Sequence, residues 1–357
     1  MKIRLKLVLI LVIAQLLLAA TVQARINFPD ILDRKTLKCD LHMHTVFSDG
    51  LVWPTVRVDE ALKLGLDAIA ITDHIEYQPH KDDIPTNHNR PHEIAAKRAK
   101  GKNLLLIKGA EITRETPPGH FNAIFVDDIN PLDTEDITDA IKAAVDQGAL
   151  ISWNHPLWKK EAKGWEDFHT RLYDNKWLRA IEVANGGSYY PEVFKWALER
   201  NLTMLGNSDI HAPADFTKTS PENHRTITLV FAAEKNLDAL KQALFEGRTA
   251  VWYKNQVIGR NKYLEPLFNA SIRIARPTTD PKGRLSVQIT NNSELDIQLE
   301  RVGKKGPKKL TLPANAAAAV KVRPKKNTDN LRLSYLAKNF LIAPDKALPV
   351  TLDIPLK

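Results

Sequence analysis

The stretch DLHMHTVFSDG, residues 40–50, decides the fold of this chain. Asp40, His42 and His44 are two residues apart, so on a β-strand their side chains project to the same side. The residues between them are apolar and face the opposite side, as the back of a buried strand does. Two histidines at the end of a strand are able to chelate one metal ion, although packed histidines give the same pattern.

Further histidines and carboxylates follow later apolar runs. AIAIT at 68–72 is followed directly by Asp73 and His74, and TMLGNS at 203–208 by Asp209. Nine candidate ligands arise in this way: His42, His44, Asp49, His74, Glu111, His120, His155, Asp209 and His211. We expect them to meet at one rim of the fold, where imidazoles and carboxylates hold divalent ions.

The chain between residues 37 and 259 alternates short apolar runs with amphipathic segments. Strands are predicted at 37–42, 68–72, 104–107, 123–126, 150–153, 180–183 and 203–205. Helices are predicted at 56–64, 92–100, 137–147, 165–173 and 192–200. This alternation predicts an α/β fold with a parallel sheet, and seven repeats favour a (β/α) barrel with its chemistry at the carboxyl ends of the strands.

From about residue 270 the pattern changes to short strands without long helical periods. They are predicted at 271–274, 285–290, 297–300, 318–322, 331–335 and 350–354. Turn residues separate them, which is typical of a small all-β sandwich. The predicted organisation is a signal peptide at 1–24, an α/β domain at 25–265 and a β-sandwich at 266–357.

The N-terminus has the features of an export signal. Lys2, Arg4 and Lys6 precede an apolar run, and small residues at 22–24 form a cleavage site. We therefore expect an exported protein, periplasmic or secreted, with no transmembrane segment after cleavage. The single Cys39 excludes both an internal disulfide and thiolate-rich zinc sites.

The net charge of +9 is unevenly distributed. Residues 260–357 contain 19 basic and 8 acidic residues, whereas residues 1–259 have a net charge of −2, or −5 without the signal peptide. The histidine-bearing part is thus acidic, which argues against a nucleic-acid site there. The basic C-terminal part, including Lys304, Lys305, Lys308, Lys309, Lys325 and Lys326, has two interpretations: a solvated edge, or contact with an anionic surface or polymer.

Six motifs together resemble the PHP family of polymerase- and histidinol-phosphatase-type metal-dependent phosphoesterases. They are DLHMHTVFSDG (40–50), ITDH (71–74), GAEIT (109–113), GHFNA (119–123), NHP (154–156) and SDIH (208–211). The resemblance spans residues 37 to about 259. It implies a distorted seven-stranded (β/α) barrel and two or three divalent ions, which are zinc, manganese or iron in this family.

The resemblance also implies a role for each ligand. His42, His44, Glu111 and Asp209 would hold a first ion, Asp49, His74 and His211 a second, and Glu111, His120 and His155 a third. Glu111, Asp209 and His211 are the predicted catalytic residues. Asp40 and Asp73 are predicted to orient the ligands.

The predicted function is metal-dependent hydrolysis of a small phosphomonoester by a metal-bridging hydroxide. The alternatives are a phosphodiesterase or nuclease, an amidohydrolase-like metallohydrolase, and a non-catalytic metal-bound binding protein. Arg114 and Arg225 are candidates for binding the substrate phosphate. Trp153 and Trp158 are expected in the core, and His169 on the surface.

Overall fold

The computed structural model describes residues 26–85, 87–160, 162–217, 220–279, 284–322 and 330–356. The predicted signal peptide at 1–24 and the basic pair Lys325 and Lys326 lie outside the described residues.

The first part of the chain alternates strands and helices as the sequence predicts. The strands are β1 (Lys35–Asp40), β2 (Ala68–Ile71), β3 (Leu105–Ile112), β4 (Phe121–Ile124), β5 (Leu150–Trp153), β6 (Leu178–Asn185), β7 (Ser188–Tyr189) and β8 (Thr203–Asn207). The helices are α1 (Pro54–Leu64), α2 (Arg90–Ala99), α3 (Ile137–Asp146), α4 (Asp167–Asp174) and α5 (Pro191–Glu199), with a 3₁₀ turn at Asn130–Leu132. The predicted α/β class is confirmed.

One strand differs from the predicted parallel arrangement. The pairs β1–β2, β2–β3, β5–β6 and β6–β8 are parallel, but β4 is antiparallel to both β3 and β5. The reason is that only a short loop, with no crossover helix, joins β3 to β4, and a short connection reverses the chain direction. The described residues after β8 return to the end of β1, where Met43 and Ile210 form a parallel bridge.

Three further strands and two helices complete this domain. They are β9 (Ile227–Ala232), α6 (Leu237–Phe245), β10 (Thr249–Tyr253), β11 (Gln256–Gly259) and α7 (Asn261–Ser271). β9 is antiparallel to β1, and β10 and β11 extend the sheet beyond it. None of these five elements was among the predicted strands and helices.

The C-terminal domain is all β, as predicted. Its strands are β12 (Ile272–Ile274), β13 (Thr278–Thr279), β14 (Leu285–Asn291), β15 (Ile297–Arg301), β16 (Lys309–Leu312), β17 (Ala317–Val322), β18 (Asn330–Ala343) and β19 (Lys346–Pro355). β12, β13 and β17 pair with β14, whereas β15 and β19 pair with β18, and β16 pairs with β15. These two sheets enclose a shared apolar core.

The two domains share a sheet. β11 pairs in parallel with β18, with Val257 opposite Phe340, so the sheet of the first domain continues into the second. Apolar residues of both belong to one buried cluster. The predicted boundary at 265/266 falls inside α7, and its exact position stays a prediction. Among the described residues, no helix is long and apolar enough to span a membrane.

Candidate metal centre

All nine predicted ligands come together at one end of the sheet of the first domain. His42 and His44 follow β1, His74 follows β2, and Glu111 lies in β3. His120 directly precedes β4, and His155 follows β5. Asp209 and His211 follow β8, and Asp49 lies in the loop before α1. His155 and Asp209 adopt positive φ angles of 29° and 52°. Because such angles are unfavourable for residues with a side chain, the fold holds these two ligands in strained positions.

Three ligand atoms form a compact triangle. Nε2 of His42 lies 3.1 Å from Nε2 of His44 and 3.2 Å from Oδ1 of Asp209. Nε2 of His44 lies 3.0 Å from the same oxygen of Asp209. Two atoms bound tetrahedrally to one Zn²⁺ at about 2.0–2.1 Å are about 3.3 Å apart. The triangle therefore has the size of one metal coordination sphere, and it contains three of the four residues predicted to hold the first ion.

A second group surrounds Asp49. Its Oδ1 atom lies 3.1 Å from Nε2 of His211, 3.5 Å from Nε2 of His74 and 3.7 Å from Nδ1 of His44. Asp49, His74 and His211 were predicted to hold a second ion together, and the structure adds His44 to this group. Asp49 reaches this position through the tight turn at Gly50, where an added Cβ would lie 2.5 Å from the backbone of His44.

Glu111 lies between the two groups and is completely buried. Its Oε2 atom is 2.9 Å from Nδ1 of His74 and 3.4 Å from Nε2 of His42. Its Oε1 atom is 3.3 Å from Nδ1 of His120 and 3.4 Å from Nε2 of His155. A carboxylate that presents each oxygen to different imidazoles is suited to bridge ions. His120 and His155 approach Glu111 as members of separate ligand groups, so their sharing of a third ion stays a prediction.

The donor set fits divalent metal ions. Oε2 of Glu111 and Oδ1 of Asp209 are buried and have no hydrogen-bond partner in the described part of the chain. An unsatisfied buried oxygen costs free energy, and a bound cation removes that cost. Imidazole nitrogens and carboxylate oxygens suit zinc, manganese and iron. The described residues thus form a divalent-metal site, while the number and identity of its ions stay predictions.

The charges of the site favour ionised carboxylates. Burial opposes ionisation of Glu111, but the imidazoles of His42 and His74 hold the pKa of its carboxyl well below the usual range. The pKa of the Asp209 carboxyl is likewise low, since His42 and His44 outweigh the effect of burial. Both groups are therefore anionic at neutral pH, as metal coordination requires.

Asp73 supports the first ligands indirectly. Its carboxylate accepts hydrogen bonds from the backbone N–H and the hydroxyl of Thr45, both at 2.6 Å, and from the hydroxyl of Ser48 at 2.7 Å. The Ser48 oxygen lies 3.3 Å from Nδ1 of His44. Asp73 therefore fixes the loop that orients His44.

Asp40 acts on the opposite side of the centre. It accepts hydrogen bonds from the N–H and the hydroxyl of Ser208, at 3.0 and 2.5 Å, and so holds the residue before Asp209. The guanidinium of Arg225 lies 3.3 Å from Asp40 and 3.5 Å from Glu60. These contacts engage Arg225 within the protein, so the structure gives no support to its predicted binding of phosphate.

Arg114 is engaged in a similar way. Its guanidinium donates to the carbonyl oxygens of Thr113 and Thr134, at 2.9 and 2.7 Å, and forms an ion pair with Glu76. These contacts give no support to the predicted phosphate role, which stays a prediction for both arginines.

The sequence analysis missed Glu182, a completely buried carboxylate in β6. Its Oε1 atom lies 2.9 Å from Nδ1 of His42, and its Oε2 atom accepts a hydrogen bond from the backbone N–H of His155 at 2.8 Å. Asn207 also donates to Oε1, at 2.9 Å. Glu182 therefore orients two ligands, His42 and His155. A carboxylate inside the otherwise apolar run at 180–184 was the sequence signal for a buried, functional side chain.

Arg57 was missed as well. Its side chain is completely buried and donates to the carbonyl oxygens of His44, Ile210 and His211, at 2.9, 3.0 and 2.6 Å. It also pairs with Glu60 at 2.8 Å. One guanidinium thus joins the two ligand-bearing segments that follow β1 and β8.

Two predictions about burial near the site, those for Trp158 and His169, are wrong. Trp153 is buried as expected, but Trp158 is 49% exposed, with its ring centroid 5.7 Å from that of His120 and 5.4 Å from that of His155. The prediction that Trp158 belongs to the core is wrong, because it follows β5 at the rim. His169, predicted on the surface, is buried and stacks on Trp153 at 3.7 Å.

The fold and this cluster define a metalloprotein of the hydrolase type. A family model described as PHP domain matches residues 40–266, and one described as Ig-like domain matches residues 271–353. The first match covers more than half of the chain, so this chain belongs to the PHP-domain family. The family assignment predicted from the motifs is confirmed.

The chain also resembles a solved structure over nearly its whole length. That structure is a two-domain protein containing a predicted PHP-like metal-dependent phosphoesterase from Bacteroides vulgatus ATCC 8482. The TM-score is 0.86 and the sequence identity 42%, over 92% of this chain and 98% of the other. The prediction of a metal-dependent phosphoesterase agrees with this likeness.

A curated relative gives a shorter match. An uncharacterized protein of Methanocaldococcus jannaschii is 35% identical over 81 residues, which are 23% of this chain and 36% of that protein. The match spans about a third of the length of this relative, so it adds no information on the activity.

Proposed function

We propose that this protein hydrolyses small phosphomonoesters at a centre of two or three divalent ions. The observation that carries the proposal is Glu111, a buried carboxylate whose two oxygens face imidazoles of different ligand groups. Bound divalent ions would lower the pKa of a coordinated water and neutralise phosphoryl oxygens.

The protein's own residues have separate tasks in this scheme. Glu111 and Asp209 supply negative charge that balances the ions, and Glu182 keeps Nε2 of His42 directed at the centre. His211 is the ligand most open to solvent, with 35% of its side chain exposed. Its position marks the side from which substrate enters, and its Nδ1 donates to the carbonyl oxygen of Asp209 at 2.8 Å, which leaves Nε2 for an ion.

The charge distribution favours a small substrate over a nucleic acid. The ligand-bearing domain is acidic, with a net charge of −5 between residues 25 and 259, so it does not attract a polyanion. A phosphodiesterase or nuclease is the second candidate, because the same centre would polarise either ester. Export to the periplasm or outside the cell remains part of the proposal and is carried only by the N-terminal sequence.

The basic loop of the C-terminal domain is proposed to serve solubility. Lys304, Lys305 and Lys308 are exposed and precede the edge strand β16, which the exposed Lys309 begins. Positive charges at an edge strand prevent pairing with other chains. Contact with an anionic polymer is the alternative, and would weaken steeply with salt.

Metal analysis combined with hydrolysis of a phosphate-ester panel tests the proposal. We expect two or three equivalents of zinc, manganese or iron per chain after supplementation, and turnover of p-nitrophenyl phosphate faster than that of bis-p-nitrophenyl phosphate. One equivalent or none would contradict the multinuclear centre. Preferential turnover of the diester would favour the second candidate, and hydrolysis of amides without esters would contradict the phosphoesterase.

A further inference from the structure

A cleft of about 540 Å³ lies between the two domains. One wall is the segment that contains Tyr189 and Tyr190, and a second is the β10–β11 turn with Tyr253 and Gln256. The third wall belongs to the C-terminal domain and includes Gln298. This volume is within the range of small-molecule sites.

Hydrogen bonds at the base of the cleft fix the domains to one another. The side chain of Asn255 donates to the carbonyl of Asp296 at 3.1 Å and accepts from its N–H at 2.9 Å. Asn339 donates to the carbonyl oxygens of Asn255 and Asp296, at 2.8 and 3.0 Å. Because both asparagines are buried and hydrogen-bonded across the domain boundary, the walls of the cleft are held in place.

The cleft combines aromatic faces with uncommitted polar atoms. The rings of Tyr189 and Tyr253 are 6.1 Å apart, and the Tyr253 hydroxyl donates to the carbonyl of Gly187 at 2.6 Å. The hydroxyl of Tyr189 and Oε1 of Gln256 are buried and have no hydrogen-bond partner among the described residues. A buried polar atom without a hydrogen-bond partner is unfavourable, so a ligand whose hydroxyl groups reach these two atoms gains by pairing with them.

The charges around the cleft nearly balance. Lys254 and Lys338 are exposed at its rim, where Glu222 is also present and Glu300 lies 3.5 Å from Lys338. A strongly charged ligand therefore has no complementary field. Aromatic rings pack well against the C–H faces of sugars, while amide and hydroxyl groups pair with sugar hydroxyls.

One wall of the cleft continues into segments that support the metal centre. Gly186 directly precedes this wall, and its N–H donates to the carbonyl of Asn207, two residues before Asp209, at 2.9 Å. Asn185 donates to Glu182 at 2.8 Å. The cleft wall and the metal centre are therefore connected through residues 185 and 186.

We propose that this cleft is a carbohydrate-binding site, built jointly by the PHP and Ig-like domains, that accepts neutral saccharide units. The site is independent of catalysis at the metal centre. It gives the C-terminal domain a direct part in ligand recognition.

Calorimetric titration of the purified, metal-loaded protein tests this proposal. The neutral probes are hexasaccharides of cellulose, xylan, mannan, starch and chitin. The anionic probes are dextran sulfate and a single-stranded oligonucleotide. We expect binding of at least one neutral hexasaccharide, weakened tenfold or more in Tyr189→Ala and Gln256→Ala. Tyr77→Ala removes an exposed tyrosine outside the cleft and should leave this binding unchanged.

Tyr189→Phe keeps the ring and removes only the hydroxyl, so it tests the same contact if the alanine variant fails to fold. We expect a smaller loss of affinity in this variant, with the thermal transition preserved. Saccharide binding should also persist after chelation of the metals, whatever the outcome of the hydrolysis assays. Three outcomes would overturn the proposal. They are no binding of a neutral saccharide, binding by both cleft variants that equals that of the wild type, and cleft-dependent binding of the anionic probes alone.

Discussion

Oε1 of Glu182 lies 2.9 Å from Nδ1 of His42, and both side chains are completely buried. Since Nδ1 faces the carboxylate, the opposite nitrogen of the ring is left for the metal centre. This arrangement fixes the orientation of the imidazole and increases its basicity as a ligand.

We expect Glu182→Gln to lower metal affinity by about 10- to 100-fold, because a neutral amide polarises the His42 ring less. Titration with a competing chelator measures this change. Glu199→Gln alters an exposed carboxylate at the end of α5 and serves as the control. Equal affinities of the wild type and Glu182→Gln would show that the contact does not tune the centre.

Glu111→Gln and Asp209→Asn should each abolish hydrolysis of p-nitrophenyl phosphate. Each change removes an anionic oxygen from a group of ligands that lie 2.9–3.5 Å from it. Asp353→Asn, which affects an exposed ion pair with Arg332, should retain full activity. Steady-state rates at saturating metal give the comparison, and an active Glu111→Gln enzyme would contradict the proposed bridging role.

Trp158→Ala should selectively impair substrates with an aromatic leaving group. The exposed indole lies beside His120 and His155, where it is able to stack on such a group with a gain of about 0.5–1.5 kcal/mol. We expect kcat/KM for p-nitrophenyl phosphate to fall about 3- to 10-fold, with little change for glycerol phosphate. Trp158→Phe should restore most of the loss, and an equal decrease for both substrates would indicate a structural role instead.

His169 should make the protein less stable in mild acid. Burial lowers the pKa of its imidazole from 6.5 to about 4. Because the unfolded chain binds the proton more readily, this stability is complete above pH 6.5 and is lost as the pH falls towards 4. Between pH 7.5 and 5 the loss is about 2 kcal/mol for this group.

Urea unfolding at the two pH values measures this effect. His169→Gln is less stable at pH 7.5, because it loses the stacking on Trp153, but its further decrease at pH 5 should be smaller by the stated amount. An identical pH dependence in both proteins would show that His169 does not titrate in this range.

The sequence was most informative where the chemistry is local. The alternation of Asp40, His42 and His44 with apolar residues predicted both a strand and a site, because side chains two apart share a face. The same local reasoning located most of the elements in the ligand-bearing repeats and in the β domain, but not the strands β7, β13 and β16. It failed for the direction of β4, which depends on the short loop before it.

Contacts between distant segments of the chain could not be predicted from the sequence. The apolar neighbours of Glu182 indicate that it is buried, but nothing local shows that Glu182 meets His42 or that Arg57 joins two ligand loops. Trp158 appeared to be another core tryptophan, since exposure depends on what packs against the segment after β5.

The sequence by itself determined the family, nine candidate ligands and the order of the two domains. Only the tertiary structure decided which ligands face each other, that Glu111 presents its oxygens to separate groups, and that β11 and β18 join the domains along one cleft. The physical reason is that residue spacing sets which side of a strand a group occupies, whereas distances between strands are set by the packing of the whole core.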